Sequence, residues 1–104
     1  MTVDPSAAVT CDISASVATI TLNRPDAKNR LDADSMGLLL AHLASTASDP
    51  KVRVVVLTGS GTTFCSGADL SGAVAAASGG FAAGGTSGLV DVLVAMLDHP
   101  KPII

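Results

Sequence analysis

Glutamate, tryptophan and tyrosine are absent from the 104 residues, and the only aromatic side chains are Phe64 and Phe81. All nine acidic residues are therefore aspartates, so chemistry that requires a glutamate cannot be completed within this chain. Two phenylalanines make no base-stacking platform, and six basic residues against nine acidic ones leave a net charge of −3. With no cationic field to collect polyanions, the sequence argues against nucleic-acid binding. Cys11 and Cys65 are too few and too far apart for a disulfide framework or a metal site, and a reducing, cytoplasmic compartment is expected. Apolar runs such as Leu38–Ala41 and Val54–Leu57 fall far short of the ~18 residues of a membrane span. Met1–Val9 has no positive region followed by an apolar stretch, so neither a secretory signal nor a membrane association is expected.

What is present is a chain 48% hydrophobic and 14% charged, enough for one small domain over residues 1–104 and no more. A domain of this size buries about two-thirds of the surface its unfolded chain exposes, which allows a core without redundancy. Residues 9–22 alternate with a period of two: Val9, Cys11 and Ile13, then Ala18, Ile20 and Leu22 interleaved with Thr19 and Thr21. This predicts two strands turning near Ser14–Ser16. Asn23-Arg24-Pro25 ends the pattern, because proline cannot donate to a ladder and restricts the residue before it, and a loop to about Leu31 follows.

Asp32 is placed as an N-cap, with Asp34 in the first turn and Leu31 positioned to staple against Met36. Met36, Leu39, Leu40, Leu43, Ala44 and Ala47 recur at spacings of three and four, which predicts a helix with one apolar stripe, ended by Asp49-Pro50. Val52–Thr58 is nearly all apolar and β-branched, as for a strand covered on both faces. Strand, helix, strand implies a parallel pair with a right-handed crossover, hence an α/β fold. Ser71–Gly88 is a Gly/Ala/Ser-rich stretch with little to fix one conformation, read as a mobile segment. Leu89–Leu97 reads as a helix, and His99-Pro100-Lys101-Pro102 leads into Ile103-Ile104, where another strand should begin.

The densest chemical signal is Thr58-Gly59-Ser60-Gly61-Thr62-Thr63-Phe64-Cys65-Ser66-Gly67-Ala68-Asp69-Leu70. Small residues after a buried strand let a ligand approach the backbone, and a turn there can aim amide N–H groups at a developing oxyanion. An ordinary turn and helix cap is the plainer alternative. Gly59-Ser60-Gly61 hints at a phosphate loop, but Phe64 stands where the third glycine of that fingerprint belongs and no Gly-Lys-Ser/Thr follows. Cys65 has no imidazole or cation tied to it by a motif, which favours packing over nucleophilic chemistry. Ser66 lacks the glycine two positions earlier that a nucleophile elbow needs. His42, between Leu39, Leu40 and Leu43, reads as a helix-flank residue, and the cations Arg24, Lys28 and Arg30 read either as a solvated loop or as a phosphate-steering cluster.

Taken together, Ile20-Thr21-Leu22-Asn23-Arg24-Pro25, Asn29, Leu31, Asp49-Pro50, Val54-Val55-Val56-Leu57-Thr58-Gly59 and Phe64–Leu70, in that order and spacing, resemble the enoyl-CoA hydratase/isomerase, or crotonase, superfamily. His99–Ile104 resembles that family's lead-in to its next strand. The resemblance implies a spiral of ββα units, of which this chain would be the N-terminal portion, binding an acyl-CoA thioester whose oxygen is held by two backbone amides as it becomes an enolate. It puts the Ser66 N–H at the first amide. The second amide and the proton-moving glutamates would lie beyond Ile104, so the chain alone is expected to be inactive. Coenzyme A contacts carry over to Asp26, Ala27 and Lys28 and to Ser66, Gly67, Ala68, Asp69 and Leu70. The implied partner is an acyl-CoA substrate, with no separate cofactor and no metal, and the whole protein would assemble as a trimer or a pair of trimers. A non-catalytic CoA-binding module that works with a partner chain is the alternative.

Overall fold

The computed structural model describes residues 6–68 and 85–104. Strand β1 (Val9–Ser14) and strand β2 (Val17–Leu22) form the expected hairpin, antiparallel with Val9 opposite Leu22 and Ser14 opposite Val17. The connecting residues Ala15 and Ser16 both have positive φ, 52° and 67°. Two left-handed residues in a two-residue loop match the right-handed twist of the flanking strands. Ile13, the last apolar residue of the β1 alternation, lies beside this turn and is 43% exposed. The inward pattern of β1 thus fades toward the end of the sheet.

Helix α1 (Ala33–Ser48) starts where Asp32 predicts it. The Asp32 carboxylate accepts hydrogen bonds from the Ser35 N–H (2.8 Å) and the Ser35 hydroxyl (2.7 Å), satisfying one of the orphan donors of the first turn. Those bonds, the backbone one foremost, with help from Arg24 and Arg30, hold the Asp32 carboxyl below its ordinary pKa. At the other end Lys101 Nζ donates to the carbonyls of Thr46 (2.5 Å) and Asp49 (2.6 Å). A cation there meets the negative end of the helix dipole and adds a second donor to two carbonyls that also accept the Asp49 and Val52 N–H groups. Thr46 Oγ1 donates to the His42 carbonyl and lies 3.1 Å from His99 Nε2, while His99 Nδ1 accepts the Lys101 N–H. That pattern assigns the ring hydrogen to Nε2.

Strand β3 (Val54–Gly59) pairs with β2 in parallel, Val17 opposite Val54 and Leu22 opposite Gly59, so the sheet order is β1-β2-β3. Ile103 bridges Val55 in parallel on the other edge of β3, and the Leu57 N–H reaches the Ile104 carbonyl at 2.8 Å. The C-terminal residues therefore begin a strand, as read from the two isoleucines. The expectation that β3 is covered on both faces needs correction. Val55 is fully buried, but Val54, Val56 and Leu57 are only half-buried, because within the described residues the core lies on one face of the sheet.

That core joins Ala18, Ile20, Leu22 and Val55 of the sheet to Met36, Leu39 and Leu43 of α1 and Val92 of helix α2 (Gly85–Leu97). Each buried side chain of leucine size contributes about 1.5–3 kcal/mol. Leu31, just ahead of the Asp32 cap, packs against the same cluster as Met36, as the staple requires. Of the stretch expected to be mobile, residues 71–84 lie outside the described residues. Residues 85–88 are helical, so α2 starts at Gly85 rather than Leu89. Gly88 faces the Met36 side chain, and this packing on α1 overrides the poor helix propensity of Gly-Thr-Ser-Gly.

Candidate functional site

Two loops leave the same end of the sheet and meet. The first follows β2 and makes a short 3₁₀ turn over Pro25–Ala27, closed by the Lys28 N–H on the Pro25 carbonyl. Lys28 and Asn29 then take left-handed φ values of 53° and 55°, a region in which asparagine is enriched. The second loop follows β3 through Ser60–Ala68. Gly59 is required at its start: a Cβ there would collide with the Phe64 carbonyl oxygen and come within 2.8 Å of Asn29 Nδ2.

Hydrogen bonds tie the loops together directly. The Ser66 N–H donates to the Lys28 carbonyl at 3.0 Å, and the Leu31 N–H donates to the Gly67 carbonyl at 2.9 Å, making a parallel bridge between Leu31 and Ala68. Asn29, 2% exposed, accepts the Arg24 N–H on Oδ1 (2.8 Å) and donates from Nδ2 to the carbonyls of Ser60 (2.9 Å) and Thr63 (2.7 Å). Lys28 is thus joined to Ser66, and Leu31 to Gly67, with Asp26 and Ala27 in the 3₁₀ turn just before Lys28. Asp69 and Leu70, the other two residues implied to contact coenzyme A, lie outside the described residues.

The donor assigned from sequence does not survive this geometry. The Ser66 N–H is engaged by Lys28, so it is not available to a ligand. The next amide, of Gly67, is turned onto Cys65 Sγ at 3.3 Å. The Ala68 N–H has no acceptor among the described residues, and its direction follows from the bridge. Because the Gly67 carbonyl faces Leu31, alternation along an extended segment turns the Ala68 N–H to the opposite side. Gly67, with φ of 115° and open space around its Cα, supplies the backbone conformation immediately before it.

Around this centre, Asp26, Lys28, Ser66 and Gly67 are exposed, whereas Ala27 and Ala68 are half-buried. Arg24 is paired with Asp34 at 3.0 Å across an exposed surface, which takes its charge partly out of the cluster with Lys28 and Arg30. Cys65 packs against the core cluster, and both cysteines are free thiols. Burial, followed by the charges of Asp12 and Asp49, pushes the Cys11 thiol up, away from thiolate chemistry. His42 lies half-buried on the flank of α1. Among the described residues no group of three metal-ligating side chains gathers, and no helix is long and apolar enough to cross a membrane. The residue that sequence reasoning undervalued is Asn29. Its signal was a short amide in the middle of a charged turn, a residue type suited to left-handed backbone.

Comparison with known proteins gives this arrangement its context. The sequence profile of the enoyl-CoA hydratase/isomerase family matches residues 12–104. The chain belongs to that family. Among curated relatives, an (E)-benzylidenesuccinyl-CoA hydratase from Thauera aromatica is 48% identical over 60% of this chain and 25% of its own length. A probable enoyl-CoA hydratase, echA6, from Mycobacterium bovis is 39% identical over 85% of this chain and 33% of its own. Among solved structures, the enoyl-CoA hydratase EchA8_6 from Mycobacterium marinum aligns with a TM-score of 0.79 and 35% identity, over 93% of this chain and 46% of that one. An enoyl-CoA hydratase from Mycobacterium avium subsp. paratuberculosis aligns with a TM-score of 0.75 and 26% identity, over 96% and 35%. The chain spans a quarter to a third of the length of these curated relatives, and its fold corresponds to the N-terminal part of the enoyl-CoA hydratase/isomerase fold.

Proposed function

We propose that this chain supplies the acyl-CoA cradle and one oxyanion donor of an enzyme that hydrates or isomerises a 2-enoyl-CoA through an enolate-like intermediate. In this reading the donor is the Ala68 N–H rather than that of Ser66, and Asp26, Ala27 and Lys28 with Ser66, Gly67 and Ala68 line the path of the coenzyme A moiety. A pre-aimed amide without a partner of its own is what a thioester oxygen needs as it gains negative charge, and one such donor is worth roughly a hundred- to a thousandfold in rate. The observation that carries the reading is the Ala68 N–H, which finds no acceptor among the described residues and is turned away from Leu31 by the bridge. Coenzyme A enters as part of the substrate, and the proton-moving glutamates that the family resemblance implies are not in this chain, which has no glutamate. The same reading extends, on the family resemblance alone, to a cytoplasmic protein assembled as a trimer or a pair of trimers.

The absent glutamate favours a second reading, a non-catalytic CoA-binding module that acts with a partner chain. Titration of the purified chain with crotonyl-CoA, coenzyme A and crotonic acid tests both. Binding of the two CoA compounds but not of crotonic acid, with no hydration of crotonyl-CoA, is the expected result. No binding of either CoA compound would overturn the proposal, and hydration by this chain would overturn the placement of the proton-moving groups.

A further inference from the structure

We propose that Asn29 is a positioning residue: its buried carboxamide locks the 24–30 and 60–67 loops in one arrangement and thereby sets the direction of the Ala68 N–H. The inference rests on the reading of that N–H as the thioester donor. Among the described residues, the three side-chain hydrogen bonds of Asn29 go to loop backbone, at Arg24, Ser60 and Thr63, and none goes to a strand or a helix. Its removal therefore acts on the loops first. The carbonyl that takes the Ser66 N–H belongs to Lys28, the residue directly before Asn29, and the N–H that holds Gly67 belongs to Leu31, two residues after it. Both bonds that orient residues 66–68 thus hang from the segment that Asn29 fixes.

The chemistry of the site is specific for an amide. Oδ1 faces a donor while Nδ2 faces two carbonyl oxygens, so a carboxylate of the same shape would set oxygen against oxygen at 2.7–2.9 Å. Glycine at position 59 leaves the Nδ2 group its space, since a Cβ there would come within 2.8 Å of it. Left-handed φ at this position is tolerated by asparagine and costs glycine nothing. Asn29→Gly therefore removes the three bonds without adding backbone strain, and Asn29→Asp keeps the shape while reversing the polarity on one side.

The test compares wild type with both variants by residue-resolved amide hydrogen exchange and by titration with coenzyme A and with cinnamoyl-CoA, whose conjugated chromophore shifts to the red when its thioester oxygen accepts a hydrogen bond. The expected result is exchange faster by about tenfold or more at Ser66 and Leu31, with smaller changes in β2 and α1. At saturating cinnamoyl-CoA the red shift is lost in both variants, a readout that loss of general stability would not move. Unchanged exchange and an unchanged red shift in folded Asn29→Gly would overturn the proposal. So would uniformly faster exchange along the chain, or failure of both variants to fold, since either makes Asn29 a residue of general stability. Should wild type bind neither CoA compound, the acyl-CoA reading fails, while the exchange pattern still decides whether Asn29 orders the loops.

Discussion

In the sheet and α1, Ala18, Ile20, Leu39, Leu43 and Val55 are each 2% exposed or less, whereas in the 24–31 and 59–68 loops the one buried side chain is the polar Asn29. The body is held by apolar burial, which is large and indifferent to direction. The loop pair is held by hydrogen bonds, each worth about 0.5–1.5 kcal/mol net but aimed to within a few tenths of an ångström. A defect in the body should therefore lower stability and leave the loops in place. A defect in the loops should cost less stability and more function.

The largest effect is expected from Leu39→Ala, which opens a cavity under the sheet at a cost of about 2–5 kcal/mol. Denaturant titration measures it, and acyl-CoA affinity below the melting transition should be unchanged. Next comes Gly59→Ala, whose Cβ meets the Phe64 carbonyl and Asn29 Nδ2. It should cost about 1–3 kcal/mol and, unlike Leu39→Ala, weaken acyl-CoA binding in the folded protein. A Gly59→Ala protein that bound normally would erase the contrast between the two regions.

Asp32→Ala probes the boundary between them, where the cap of α1 meets the loop that carries Asn29. Loss of the cap should cost about 1 kcal/mol. Because the folded pKa of Asp32 is depressed, its contribution is fully present above the ordinary aspartate value and is lost as pH falls through the lower folded value. The stability difference between wild type and variant should therefore shrink toward strongly acidic pH, which denaturant titrations in acid will read. The smallest effect is expected from Arg24→Ala: its ion pair with Asp34 is exposed on both sides and should contribute no more than about 1 kcal/mol, diminishing as salt is raised.

The body was legible in the sequence and the loops less so, for a physical reason. Ala18, Ile20 and Leu22 alternate, Met36, Leu39 and Leu43 recur at helical spacing, and Asp32 marks a start, so periodicity and capping locate β2 and α1 without knowledge of the rest. The strand begun by Ile103 could be read in the same way. The early start of α2 at Gly85 could not, because Gly88 owes its conformation to Met36 on another helix. The choice between the N–H of Ser66 and that of Ala68 was hidden for a related reason: it depends on the Lys28 carbonyl and the Leu31 bridge, which are distant in sequence. Family resemblance pointed to the stretch proposed to carry the site, but only the three-dimensional pairing of the loops shows the Ser66 amide engaged and the Ala68 amide without an acceptor among the described residues.

The most direct measurement is a heteronuclear NMR titration of the chain with an acyl-CoA, following the two backbone amides separately. The Ala68 amide proton should move downfield as the thioester oxygen arrives, and the Ser66 amide, already bonded to Lys28, should stay nearly still. A shifted Ser66 signal beside an unmoved Ala68 signal would contradict the account.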